Sequence, residues 1–149
     1  MLLRSVCRAQ QSRRAVAAVE LAVLAPFLAL LFLIAVDFCR VFYFSVTLDN
    51  CARNGAEYGS HVFNSQNWQN SGSLIDSIQE ATMAEGSKLN PPLPRTNIAI
   101  TSANDSDGNP MVRVTVNYQF QTLTGFSGGP MNLVRTAQMR VAPPAPNNN

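Results

Sequence analysis

The chain has 149 residues, of which 46% are hydrophobic and 13% charged, with a formal net charge of +2. These figures speak against intrinsic disorder, which pairs low hydrophobicity with high net charge. They also speak against a nucleic-acid binder, which needs many clustered Lys and Arg. The length suits one modest domain with few additions.

Charge is unevenly placed. Arg4, Arg8, Arg13 and Arg14 crowd the first fourteen residues, which hold no acid, and leave seven basic and nine acidic side chains for the rest. Ala15 to Val36 then carries one charge, Glu20. As a helix this stretch is about 33 Å long, close to the roughly 30 Å of bilayer hydrocarbon. It reads as a membrane span, since a buried core helix so apolar would need a larger core than this chain offers.

Four Arg precede the span, whereas Arg40 after it is offset by Asp37. The positive-inside rule therefore puts the N-terminus in the cytoplasm and the bulk of the chain outside. A secretory signal peptide has a similar outline. The apolar run is too long for one, Glu20 interrupts its start, and Ala35-Val36-Asp37-Phe38 is a poor cleavage site. Ser12-Arg13-Arg14 resembles a twin-arginine signal only faintly.

Beyond the span, Val41, Phe42, Phe44, Val46, Leu48, Cys51, Ala52, Ala56 and Tyr58 recur at spacings of three and four. One helix from about Arg13 to Gly59 is expected, with Pro26 permitting a kink and Gly55 and Gly59 weakening its end. Residues 60–72 read as a loop. A second helix follows over 73–86, with Ser71 or Ser73 as N-cap and Gly86 as the stop. Pro91, Pro92 and Pro94 mark a connector. Val112, Val114, Val116, Tyr118 and Phe120 alternate with polar residues, as a half-buried strand requires. Ile98 and Ile100 begin a weaker strand, joined to it by the turn 104–110. After a Gly-rich loop at 125–130, Leu133, Ala137, Met139 and Val141 line one face of a third, with Arg135 the exception. The expected fold class is α+β: a long N-terminal transmembrane helix continuing outside the membrane, a second short helix and a small antiparallel sheet of about three strands.

Catalytic or metal chemistry finds little support. Asp105, Asp107 and Asn109 resemble the start of a calcium loop, but Pro110 stands where Gly is required and Val116 where the distal Glu belongs, so a hairpin turn is favoured. Asn104-Asp105-Ser106 fits a glycosylation sequon, which means little outside a eukaryotic secretory context. His61 is the single histidine, so a His-based metal cluster is ruled out. We expect no catalytic residues, no metal and no cofactor. Trp68 and Tyr43 are read as core or interface aromatics. Cys39 and Cys51 would lie about 18 Å apart along one helix, too far to bridge. Cys7 precedes the apolar run, unlike a lipidation cysteine, and all three read as small hydrophobes.

Two features of the span exceed a bland reading. Glu20 lies only about 9 Å along the helix from Arg14; it is either a snorkelling or protonated acid, or one that finds a positive partner when helices assemble. Ala18, Ala22, Ala25 and Ala29 are spaced four, three and four, and small residues so placed let membrane helices approach closely.

The segments Arg13-Arg14-Ala15-Val16-Ala17-Ala18-Val19-Glu20-Leu21-Ala22, then Pro26, Asp37-Phe38-Cys39-Arg40-Val41 and Asn50-Cys51-Ala52-Arg53-Asn54-Gly55-Ala56-Glu57-Tyr58, resemble the N-terminal block of TadE-like proteins, pseudopilins of the bacterial tight-adherence (Tad) pilus machinery. Val114–Phe120 and Ala137-Gln138-Met139-Arg140 are more weakly similar to the family's C-terminal end. The resemblance implies a non-enzymatic membrane subunit of pilus or secretion-apparatus assembly. Its implied partners are the lipid bilayer, other pilin or pseudopilin subunits and a prepilin peptidase, with no nucleic acid and no small-molecule substrate. It implies a cut between Ala15 and Val16, where the family usually has Gly before the cut, and an assembly role for Glu20. The expected organisation is a cytoplasmic basic leader (1–14), a helix spanning the inner membrane once (15–37), an α+β unit in the periplasm or outside the cell (38–141) and a disordered tail (142–149). Opposing readings are an uncut envelope protein without a pilus role and a membrane-anchored enzyme.

Overall fold

The computed structural model describes residues 3–62, 72–125 and 128–141, and the side chains of 15–62 within the first of these stretches. The expected tail at 142–149, Trp68, the Ser71 cap and the side chain of Cys7 lie outside what it describes. Helix α1 spans Leu3–Val62 and α2 spans Gly72–Gly86; strands β1 (Ile98–Asn104), β2 (Pro110–Phe120) and β3 (Met131–Arg140) follow. The α+β class is as the sequence implied. The first helix is longer than the expected 13–59. It takes in residues 3–12, and at its other end 60–62, which the polar composition had suggested were loop.

By internal contacts the chain divides into two units, Met1–Cys39 and Arg40–Asn149. The first is helical throughout its described residues, 3–39. Pro26 lies inside the helix, where it withholds the N–H that Ala22 C=O would accept, and the helix continues past it. The large apolar side chains from Val16 to Leu33 are roughly half or more exposed, and the stretch is long and apolar enough to cross a membrane.

The second unit is a three-stranded antiparallel meander, ordered β1-β2-β3, with helices on one face. Val112, Val114, Val116, Tyr118 and Phe120 of the central strand are all buried, the expected consequence of strict alternation. Their partners on α1 are Phe44, Leu48, Cys51, Ala52 and Ala56. Along α1 the buried positions 51, 52, 55, 56, 59 and 60 recur as pairs every four residues, and every one is small: Cys51, Ala52, Gly55, Ala56, Gly59 and Ser60.

That stripe corrects the reading of Gly55 and Gly59 as weak points. A Cβ on Gly55 would strike Thr82 Oγ1 of α2, and one on Gly59 would come within 2.9 Å of Val112 Cγ1 of β2. Both glycines are places where a second element passes against the helix backbone. The small propensity penalty is outweighed by contacts that only glycine permits.

Buried hydroxyls are satisfied locally. Thr82 Oγ1 donates to Ile78 C=O at 2.8 Å and Ser60 Oγ to Glu57 C=O at 2.7 Å. Arg135, the polar exception on the inner face of β3, donates to Ser45 Oγ of α1 at 3.0 Å. The β1–β2 turn is closed by Asp105, whose Oδ1 accepts from the backbone N–H groups of Asp107 and Asn109, both at 2.9 Å. Arg140 of β3 approaches the same carboxylate at 2.6 Å. Those backbone donors hold the Asp105 carboxyl below the usual carboxylate range. The acidic turn thus spends its oxygens on fixing a hairpin, as Pro110 and Val116 had suggested.

Candidate functional site: the N-terminal apolar helix

Ala15 and Val16 lie well inside α1, twelve and thirteen residues after Leu3. The peptide bond between them is therefore embedded in helical hydrogen bonds. Both side chains are exposed. A peptidase needs an extended substrate, so cutting at this bond requires the helix to open around residues 14–16.

Ala18, Ala22, Ala25 and Ala29 are all exposed. At 100° per residue they fall within roughly 60° of one another, and together they form a shallow strip. Glu20 is exposed too, but it stands roughly 170° around the helix from the centre of that strip. One neighbouring helix cannot meet both features. If both serve assembly, the helix has neighbours on two sides, one seated on the alanines and another offering a positive group to Glu20.

Among the described residues no three His, Cys, Asp or Glu side chains come together as a metal site would need. His61 is exposed near the end of α1. Cys39 is exposed and Cys51 fully buried. Tyr43 is more than half exposed, and its ring meets Phe44 edge-on at 6.0 Å.

The helix built from these residues carries the decisive similarity. Residues 15–57 match the family model of TadE-like proteins. No curated protein and no solved structure matches the chain. The matched segment covers the long apolar stretch and the small-residue stripe up to Glu57, and stops before Gly59. It does not extend to the strands at 114–120 and 137–140. The match is consistent with a protein of the Tad pilus system, and the span it covers is the helix able to cross a membrane.

The sequence did not disclose two features around this helix. Tyr118 Oη donates to Pro91 C=O at 2.7 Å, and Arg40 lies over the Phe120 ring at 5.0 Å. Each joins parts distant in sequence, and no local pattern announces them. The close approaches at Gly55 and Gly59 did leave a signal: pairs of small residues repeating every four positions.

Proposed function

We propose that this protein is a non-enzymatic, single-pass subunit of the inner membrane that takes part in assembling a Tad-type pilus or related secretion apparatus. The observation that carries the reading is the TadE-like match over a helix long and apolar enough to span the bilayer. The four arginines before the span favour a cytoplasmic N-terminus and an exported α+β unit. A prepilin peptidase acts at Ala15–Val16, and other pilin or pseudopilin subunits are the partners.

In this reading Glu20 serves assembly. Cleavage frees the amine of Val16, which at its ordinary pKa of about 7.7–8.0 is largely protonated at neutral pH. In a low-dielectric setting a neighbouring subunit's Glu20 pairs with it, partly offsetting the desolvation of both ions and setting the axial register of adjacent helices. Glu20→Gln keeps the shape and lowers the cost of membrane insertion. We expect this variant to accumulate in the membrane and be cut at normal levels, yet fail to support piliation or to co-purify with partner pilins. Normal piliation with Glu20→Gln would return Glu20 to a tolerated acid snorkelling toward Arg13 and Arg14.

A further inference from the structure

Helix α1 runs along β2 from Phe44, whose ring lies 5.0 Å from that of Phe120, to Gly59 beside Val112. The end of the α+β unit that α1 enters is therefore the end of β2, and the β1–β2 turn lies at the other. A cleft of about 730 Å³ beside residues 117–120 of β2 shows what meets there. It is lined in common by Arg40 and Phe44 of α1, Pro91 and Pro94 of the connector and Leu123 of the β2–β3 loop.

Charge avoids this end. Residues 41–48, 89–94, 121–125 and 128–134 contain no Asp, Glu, Lys or Arg, whereas the β1–β2 turn sets Asp105 and Asp107 against Arg140. Large apolar side chains stand out instead: Phe42 and Leu123 are each 68% exposed and Tyr43 56%. Along α1 the change is abrupt. Phe42, Tyr43 and Val46 are exposed, but from Asn50 to Glu57 the exposed residues are Asn50, Arg53, Asn54 and Glu57, all polar. Tyr58 and Val62 also expose apolar surface, at the far end of the helix.

The chain itself says what covers such a surface. Arg40 follows Val36, the last residue of the apolar stretch, by about 6 Å along the helix. If α1 crosses the bilayer, this end of the unit is the part held at the headgroup layer, where exposed aromatic and aliphatic side chains are favoured. We propose that this end is seated in the bilayer interface, with Phe42, Tyr43 and Leu123 at the boundary between lipid headgroups and acyl chains. The inference rests on the reading of α1 as a membrane span. It adds that the folded unit carries a lipid-binding surface of its own and does not stand clear of the membrane on its helix.

The test uses the full chain, one copy per nanodisc, in phosphatidylcholine and phosphatidylglycerol whose acyl chains are brominated either near the headgroup or near the chain end. In a Trp68→Phe background a single tryptophan is introduced by Leu28→Trp, Phe42→Trp, Leu123→Trp or Tyr58→Trp, and quenching of its emission is read. Leu28→Trp reports the span and should be quenched most by the deep bromines. Phe42→Trp and Leu123→Trp should each lose about half of their emission to the shallow bromines and less to the deep ones, while Tyr58→Trp loses almost none. The replaced Phe42 and Leu123 are exposed, so the larger ring is accommodated, and unchanged protease resistance of the unit checks this. Quenching of Leu28→Trp without quenching of Leu123→Trp would overturn the proposal and leave the span standing. No quenching of Leu28→Trp would overturn both. Equal quenching of Tyr58→Trp and Leu123→Trp would also contradict the proposal. Leu123→Trp left unquenched with one chain per disc but blue-shifted with two would assign this end to a second copy of the chain.

Discussion

The thiol of Cys51 sits fully buried where α1 meets the rest of its unit, with the Cβ position of Gly86 3.5 Å from its sulfur. Burial first, and then the nearby Glu85 carboxylate, push its pKa up to about 11 from 9.0. Since the folded value exceeds the unfolded one, this group's contribution to stability is complete below pH 9 and is lost as pH rises through about 11. Tyr118, whose hydroxyl is also raised by burial, acts in the same direction at alkaline pH. Cys51→Ala should therefore flatten the alkaline part of the stability profile, as read by protease resistance of the α+β unit between pH 8 and pH 11. At pH 8 a maleimide should leave Cys51 of the folded protein unlabelled in a Cys7→Ser, Cys39→Ser background and label it once the chain is unfolded. An equal rate in both states would mean that the helix–sheet contact opens freely.

Among the elements, the contact of α1 with α2 and β2 rests on side chains that are absent. Gly55→Ala places a methyl against Thr82 Oγ1, and because that hydroxyl is held by Ile78 C=O it cannot simply turn away. We expect a loss of about 1–3 kcal/mol, the usual cost of overpacking. Part of it should be recovered when Thr82→Ala is added, and the coupling can be measured by a double-mutant cycle on thermal proteolysis. Strictly additive losses would place the two residues out of contact. Much of this architecture could be read from the sequence: the alternation from Val112 to Phe120 needs one buried face, and the three prolines at 91, 92 and 94 allow no helix. Gly55 and Gly59 were misread because propensity is a local quantity, whereas their use depends on what passes beside them. Strand lengths set the cleft beside residues 117–120: β1 stops opposite Val116 while β2 runs on. The register that creates the mismatch is a property of pairing and is invisible in either strand alone.

For the whole molecule, the long apolar helix was the part most legible in the sequence, because an apolar run of bilayer length is a compositional fact that needs no packing. What the helix is used for depends on partners. Processing is one consequence of the proposed function. If the peptidase accepts Ala15, intact-mass measurement should find a mature chain beginning at Val16, and Ala15→Gly should be cut at least as completely. The full mass in cells that contain the peptidase would make this an uncut membrane subunit. The most direct test of the central claim, an exported α+β unit held by one membrane-crossing helix, is a pair of fusions to a reporter active only outside the cytoplasm. Fused after Asn149 the reporter should be active, and fused before Met1 it should be silent. The reverse pattern, or activity at neither end, would contradict the account.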